Sequence, residues 1–144
     1  MFGNKLQLAL VVLRTSISHF IDLAETMEID RKLIDEQAAL EALCGDKQLL
    51  CELAKMFLED APGMLVELDA AVSAGEFIIA KRLVHSLRGL SSTFFAKSVT
   101  ELARRLEDDL NRGVLDSLNN GGLERLTSAI DELSRELKAS DFAN

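Results

Sequence analysis

The chain has 144 residues, of which 48% are hydrophobic and 28% are charged, a balance typical of one globular domain. Its formal net charge of −8 argues against a general nucleic-acid-binding protein, because phosphate backbones attract basic surfaces. The apolar run Leu6–Leu13 is too short to cross a bilayer, and no cleavage site typical of a signal peptide follows it cleanly. We therefore expect a cytoplasmic protein without membrane insertion.

In chain order, the first predicted helix runs from about Asn4 to Met27. Its apolar residues are spaced four and three apart, which keeps one helical face apolar: Leu6, Leu10, Leu13, Ile17, Phe20, Ala24 and Met27. A short helix at about Asp35–Leu43 follows. The "CGD" stretch then breaks the chain, and Asp46 is the expected N-cap of the next helix.

The two cysteines, Cys44 and Cys51, predict no metal site. They are seven residues apart, with neither CxxC spacing nor a companion pair of histidines. We expect two reduced and mostly buried thiols.

The third predicted helix contains Pro62 inside its apolar pattern, so we expect a kink or a break there. Its stripe comprises Leu50, Leu53, Phe57, Met64, Leu68 and Ala71. Gly75 ends this helix, and Glu76 begins the next one. That fourth helix has a buried stripe of Ala80, Leu83, Leu87, Leu90 and Phe94.

Two further helices follow, and turns at "NRG" and "NNGG" punctuate residues 111–122. Their apolar stripes are Val99, Leu102, Leu106 and Leu110, and then Leu123, Leu126, Ile130, Leu133 and Leu137. Four substantial amphipathic helices joined by short turns predict an all-α protein. The expected architecture is an antiparallel four-helix bundle with an additional N-terminal helix or helices.

The stretch "KRLVHSLRGLSSTFF", residues 81–95, places one of only two histidines on the polar face of its helix. At about 100° per residue, His85 lies about 160° away from Leu83 and faces outward. Its helical neighbours on that face are Ile78, Lys81, Arg82, Arg88, Gly89 and Ser92. We expect an exposed imidazole that is neither buried in the bundle nor held by a carboxylate.

Charge supports a phosphoryl group as the ligand of this face. The 24 residues from Phe77 to Thr100 hold four Lys or Arg and no Asp or Glu, although the chain is acidic. Nearby cations oppose a divalent metal ion and suit a bound or transferred phosphoryl group. The other histidine, His19, is followed by Asp22 and Glu25, so a structural or surface role is expected for it.

Gly89 is the second unusual feature, because a glycine inside a helix costs about 1 kcal/mol relative to alanine. It lies one turn after His85 on the same face, where it removes a side chain that would crowd the imidazole and lets a partner approach. The alternative is a solvated histidine on a basic helix, with Gly89 easing helix packing. The residues alone leave both interpretations open.

The segment Val84–Glu107 resembles the signature of histidine phosphotransfer (HPt) domains. The resemblance is carried by His85, Arg88, Gly89, Ser91, Ser92, Ala96, Leu102, Leu106 and Glu107. An upstream stretch with a Phe-Leu-x-x-x-Pro pattern is similar to the helix that precedes this signature in the family. The resemblance spans roughly Ile29–Leu137. It divides the chain into an extra N-terminal amphipathic helix at 1–28 and an HPt four-helix-bundle domain at 29–140.

The resemblance implies a phosphocarrier without autonomous kinase activity in a two-component phosphorelay. A receiver-domain phospho-aspartate would phosphorylate His85, which would pass the group to another response-regulator aspartate. Arg88, Lys81 and Ser92 would stabilise the phosphoryl group. Clearance or docking is assigned to Gly89, Ile78 and Arg82, although Ile78 could instead be partly buried. The chain needs no cofactor, since Mg²⁺ is expected on the receiver partner.

The implied partners are receiver domains of response regulators, a hybrid sensor kinase, or both. Two departures from the family pattern stand out: Arg88 replaces the usual lysine, and Phe95 stands where the family tends to have glycine. The rival function is a helical binding module that docks or inhibits a receiver or kinase without being phosphorylated. An unrelated helical assembly protein is a weaker alternative. The N-terminal helix could pack onto the bundle or pair with a second copy in a homodimer.

Overall fold

The computed structural model describes residues 32–142, together with Val12, Arg14 and Ser16, which are helical. The rest of the predicted N-terminal helix, and with it the homodimer hypothesis, lies outside the described residues. The chain divides into two compact units, Met1–Lys32 and Leu33–Asn144. The architecture below is that of the second unit.

The second unit is a helical bundle. Its described residues form five α-helices and no strand: α1 Glu36–Ala42, α2 Lys47–Ser73, α3 Phe77–Thr93, α4 Lys97–Asn111 and α5 Leu123–Ala139. Helix α2 contacts α3 and α5, and α4 contacts the same two helices, so the four longer helices close a ring. Because three-residue turns join α2 to α3 and α3 to α4, these neighbours run antiparallel. The predicted antiparallel four-helix bundle is confirmed.

The core of the bundle is built mostly from the predicted apolar stripes, of which five residues are only partly buried: Leu53, Met64, Leu90, Leu102 and Leu123. All four long helices contribute fully buried side chains, among them Phe57, Leu68, Leu87, Val99 and Leu133. Phe94, at the end of α3, meets Phe57 of α2 edge to face, with ring centroids 5.6 Å apart. These contacts fix α3 against α2 and leave the opposite face of α3 for solvent.

Polar caps begin the first two helices, and the cap at Asp46 is the one that the sequence predicts. The Asp35 carboxylate accepts a hydrogen bond from the amide of Ala38 at 3.0 Å, and Asp46 accepts one from Leu49 at 2.9 Å. Cys44 and Cys51 are both free thiols. Cys44 is exposed in the turn between these helices, so the expectation of two mostly buried thiols is wrong for Cys44.

Helix α2 continues through Pro62, so the predicted break is not present. Proline has no amide hydrogen and leaves the carbonyl of Leu58 without its usual helical donor. Pro62 is exposed, so water can reach this part of the helix. Packing on both sides of Pro62 then keeps the helix continuous, since Ala61 and Leu65 are buried.

The turns between helices use left-handed backbone conformations. Gly75 ends α2 with φ +70°, as predicted. In the turn between α3 and α4, Phe95 has φ +53°, a region that glycine adopts readily and phenylalanine rarely does. The phenylalanine therefore keeps a backbone geometry that favours glycine. The turn thus accommodates Phe95 at the position where the family tends to have glycine.

Two features tie the ends of the described chain to the bundle. The Glu136 carboxylate of α5 accepts hydrogen bonds from the amides of Leu33 and Ile34, each at 3.0 Å. Near the other end, Phe142 is buried.

Within the described residues, no helix has the length and apolarity that crossing a bilayer requires.

Candidate functional site

Helix α3 presents His85 on its outer face. Leu83, Val84 and Leu87 are buried and anchor the helix on the bundle. The His85 side chain remains 62% exposed, so a partner protein can reach the ring. This exposure agrees with the helical periodicity of the sequence.

A carboxylate nevertheless holds the imidazole. Glu107 of α4 is buried, and its Oε1 lies 2.7 Å from His85 Nδ1. The expectation that no carboxylate contacts the ring is therefore wrong. The prediction considered only the acid-free stretch Phe77–Thr100, which covers one helix and its flanks. Packing against α4 adds a carboxylate that lies 22 residues further along the chain than His85.

Arg88 completes a three-residue cluster with His85 and Glu107. Its Nε lies 3.1 Å from Glu107 Oε2, an ion pair in which the N–H is not aligned as a hydrogen bond. Arg88 Nη2 is also 3.4 Å from His85 Nδ1, too long for a strong contact. The guanidinium thus neutralises Glu107, whereas the sequence predicted that Arg88 stabilises a phosphoryl group.

The Glu107 contact assigns the tautomer of the neutral ring. An ionised carboxylate can only accept hydrogen bonds, so the proton of a neutral His85 resides on Nδ1. The lone pair is then on Nε2, the nitrogen that Glu107 does not engage. Glu107 therefore orients a nucleophilic nitrogen without blocking it, which distinguishes this contact from one that would inactivate the ring.

An open groove between α3 and α4 contains the imidazole. It is lined by Ile78, Lys81, Arg82, His85, Glu107 and Asn111. Ile78 is 85% exposed, so the alternative in which it is partly buried is wrong. Arg82 Nη2 lies 3.5 Å from Glu67 Oε1 of α2. The structure thus brings three of the predicted residues, Ile78, Lys81 and Arg82, to the same groove as His85.

Gly89 and Ser92 lie further along the exposed face of α3. A Cβ atom at Gly89 would meet no heavy atom within 4 Å, so a methyl group there would not touch the imidazole. Clearance at Gly89 for an approaching partner stays a prediction. The Ser92 hydroxyl donates to the carbonyl of Gly89 at 2.7 Å, and Ser92 lines a second groove with Phe95 and Lys97. The structure does not bring Ser92 to the His85 groove.

The sequence did not predict that Glu107 contacts His85, or that Asn111 lines the His85 groove. A signal for Glu107 was present, because it follows Ala103 by four residues and precedes Leu110 by three, both core positions of α4. A carboxylate on a buried stripe requires a polar partner. Nothing in the sequence identified that partner as His85.

Comparison with known proteins agrees with this geometry. The family model of the Hpt domain matches residues 52–138. The chain belongs to the Hpt domain family. The matched residues include most of α2, all of α3 and α4, and nearly all of α5, and hence His85, Arg88, Gly89 and Glu107. Neither the comparison with curated proteins nor the comparison with solved structures gave a match.

Membership of the Hpt family establishes the class of function. Hpt domains are phosphocarriers rather than kinases, and they interact with receiver domains. The chain therefore contains a phosphotransfer module of two-component signalling.

Proposed function

We propose that the protein is a phosphorelay intermediate that accepts a phosphoryl group on His85 from a receiver-domain phospho-aspartate and passes it to an aspartate of another response regulator. The observation that carries the proposal is the 62% exposed imidazole whose Nδ1 is held at 2.7 Å by Glu107. A binding module that is never phosphorylated would not need an imidazole oriented in this way.

The reaction is a phosphoryl exchange between an acyl phosphate and an imidazole. The lone pair of His85 Nε2 attacks phosphorus in line, an N–P bond forms, and the P–O bond to the aspartate breaks. The aspartate leaves as a carboxylate, and the proton on Nδ1 stays in its hydrogen bond to Glu107. The reverse sequence delivers the group to the next receiver. Mg²⁺ and the acidic residues that bind it are expected on the receiver.

Positive charge develops on the ring as the N–P bond forms, and Glu107 lies where it can stabilise that charge. Its carboxylate is 10% exposed, so its interaction with the ring is weakly screened by solvent. Arg88 offsets the negative charge of Glu107 when the ring is neutral. The cluster thus supports both neutral and phosphorylated states of His85.

The docking surface proposed for the receiver begins at Ile78. Its side chain is 85% exposed at the edge of the His85 groove, and neighbouring Phe77 is 38% exposed. Exposed apolar residues next to a reactive group are typical of a protein-binding surface. Gly89, on the other side of His85, leaves room for the partner's backbone.

A transfer assay tests the function. The protein is incubated with a phosphorylated receiver and then treated with acid or base, because phosphohistidine is labile in acid and stable in base. We expect an acid-labile label on the wild type and on the His19→Ala variant, and none on His85→Ala. Receiver binding without any label on the wild type would instead support the non-phosphorylated binding module.

A further inference from the structure

The cations of α3 and α4 differ in whether a carboxylate already neutralises them. Arg88 is paired with Glu107, and Arg82 is paired with Glu67. On α4, hydrogen bonds from Arg104 and Arg105 lower the pKa of Glu101 to about 2, so those arginines are also committed to a carboxylate. A phosphoryl group adds nearly two negative charges, and these paired cations are already partly compensated.

Lys81 is the exception in the His85 groove. It precedes His85 by one helical turn, so its flexible side chain can reach a group on the imidazole. Lys81 is exposed, and its ammonium forms no ion pair with any carboxylate in the described part of the chain. The ammonium is therefore available to a phosphoryl oxygen without first breaking another contact.

Asn111 faces the same part of the groove from α4. It follows Glu107 by one turn, and α3 and α4 run in opposite directions, so the contact between His85 and Glu107 places Asn111 across from Lys81. No side-chain hydrogen bond engages Asn111 within residues 32–142. Its amide can donate to a phosphoryl oxygen while the ammonium of Lys81 supplies charge.

We propose that Lys81 and Asn111 form the phosphoryl-binding subsite of His85, and that Arg88 acts as a positioning residue through Glu107. This inference rests on the proposed function, since it concerns the group carried by His85. It departs from the expectation that the cation three residues after the histidine contacts the phosphoryl group. The subsite stabilises the charged product and takes part in no proton transfer.

Phosphoramidate provides a test that needs no receiver. Its P–N bond breaks as the Nε2–P bond forms and ammonia leaves with the proton it gains from water. The ratio of phosphorylated to free protein is measured by ³¹P NMR at fixed phosphoramidate and ammonium concentrations. We compare Lys81→Gln, Asn111→Ala and Arg88→Gln, with Lys55→Gln as the control that removes the same charge from an exposed lysine of α2 that does not line the His85 groove.

We expect Lys81→Gln to lower this ratio by about threefold to tenfold, the size of a partly exposed charged hydrogen bond, and Asn111→Ala to lower it by a smaller factor. Lys81→Arg should restore most of the loss, and Lys55→Gln should leave the ratio within about twofold of the wild type. Arg88→Gln should instead alter the imidazole ¹⁵N spectrum of the unphosphorylated protein, because it disturbs Glu107.

The inference is overturned if the wild type is labelled at His85 while Lys81→Gln matches Lys55→Gln, or if Arg88→Gln produces the larger fall without a change in the ¹⁵N spectrum. Failure of the proposed function looks different: the label would be absent from the wild type or would persist in His85→Ala.

Discussion

Glu107 and His85 show how one contact sets the chemistry of a residue. The carboxylate is buried, accepts the Nδ1 proton at 2.7 Å and has Arg88 as its counter-ion. A hydrogen bond to a buried charged group is stronger than one between neutral groups. The orientation of the imidazole therefore depends on a residue of a different helix, even though the ring is exposed.

Replacing Glu107 with alanine removes the acceptor that holds the Nδ1 proton. We expect the proton to redistribute between the two ring nitrogens and the rate of phosphorylation by phosphoramidate to fall about fivefold to tenfold, the size of one hydrogen bond. Imidazole ¹⁵N spectra and the labelling rate measure the two effects. Glu101→Ala, on the same helix, is the control. If neither quantity changes in Glu107→Ala, Glu107 does not position the ring.

A substitution at Gly89 has two separable effects, one on the stability of the helix and one on the access of a partner. A Cβ atom there meets nothing within 4 Å, so Gly89→Ala should raise the free energy of unfolding by about 0.5–1 kcal/mol. Labelling by phosphoramidate should not change, since this small donor needs little space. Transfer from a phosphorylated receiver should slow, because the added methyl group occupies the surface that the partner approaches.

The matched control for Gly89 is Gly63→Ala in α2, where an added Cβ also meets no atom within 4 Å. This variant should gain similar stability and keep the wild-type rate of receiver transfer. Denaturant unfolding and a time course of transfer give the comparison. Equal transfer rates for the wild type and both variants would show that Gly89 provides no clearance for the receiver.

At the scale of elements, the sequence predicted helices well because each carries a long apolar stripe that only one helical face can bury. The stripe of α3 also predicted the exposure of the opposite face, on which His85 lies. The outcome at Pro62 was harder to predict, because propensity favours a break whereas tertiary packing around Ala61 and Leu65 keeps α2 continuous. Periodicity within one helix likewise could not show which residue of α4 meets His85.

The connection into α5 is closely packed. The sequence predicted only a turn at this position. Leu118–Gly122 form a kinked connection in which Asn120 and Gly121 leave helical geometry, and a Cβ at Gly122 would collide with the backbone oxygen of Ser117 and lie 2.7 Å from Leu106 Cδ2. The "NNGG" stretch was expected to break the chain. Its last glycine instead allows the turn to pack against α4.

Gly122→Ala should therefore destabilise the bundle by about 2–3 kcal/mol, because a backbone atom cannot move aside as a flexible side chain can. Chemical denaturation with a far-UV circular dichroism signal measures the change in the free energy of unfolding. Gly63→Ala is the control, and it should change this free energy in the opposite direction. A Gly122→Ala variant as stable as the wild type would show that the kinked connection can shift without cost.

At the scale of the whole molecule, Glu136 joins parts of the chain that are more than 100 residues apart. Its two oxygens accept from the adjacent amides of Leu33 and Ile34, and Ile34 is buried. A carboxylate near the C-terminal end of a helix is disfavoured by the helix dipole. The pair of hydrogen bonds explains why an acidic residue is nevertheless suited to this position of α5.

Glu136→Ala should lower the free energy of unfolding by about 2 kcal/mol, since two partly buried amides lose a charged acceptor. Hydrogen exchange of the Leu33 and Ile34 amides should accelerate more than exchange within α3. Glu136→Gln should lie between the wild type and Glu136→Ala, because one amide oxygen remains able to accept. Glu132→Ala removes an exposed charge from the same helix and should change stability by less than about 0.5 kcal/mol. Equal losses at Glu132 and Glu136 would mean that the charge of α5, rather than the contact with residues 33 and 34, stabilises the bundle.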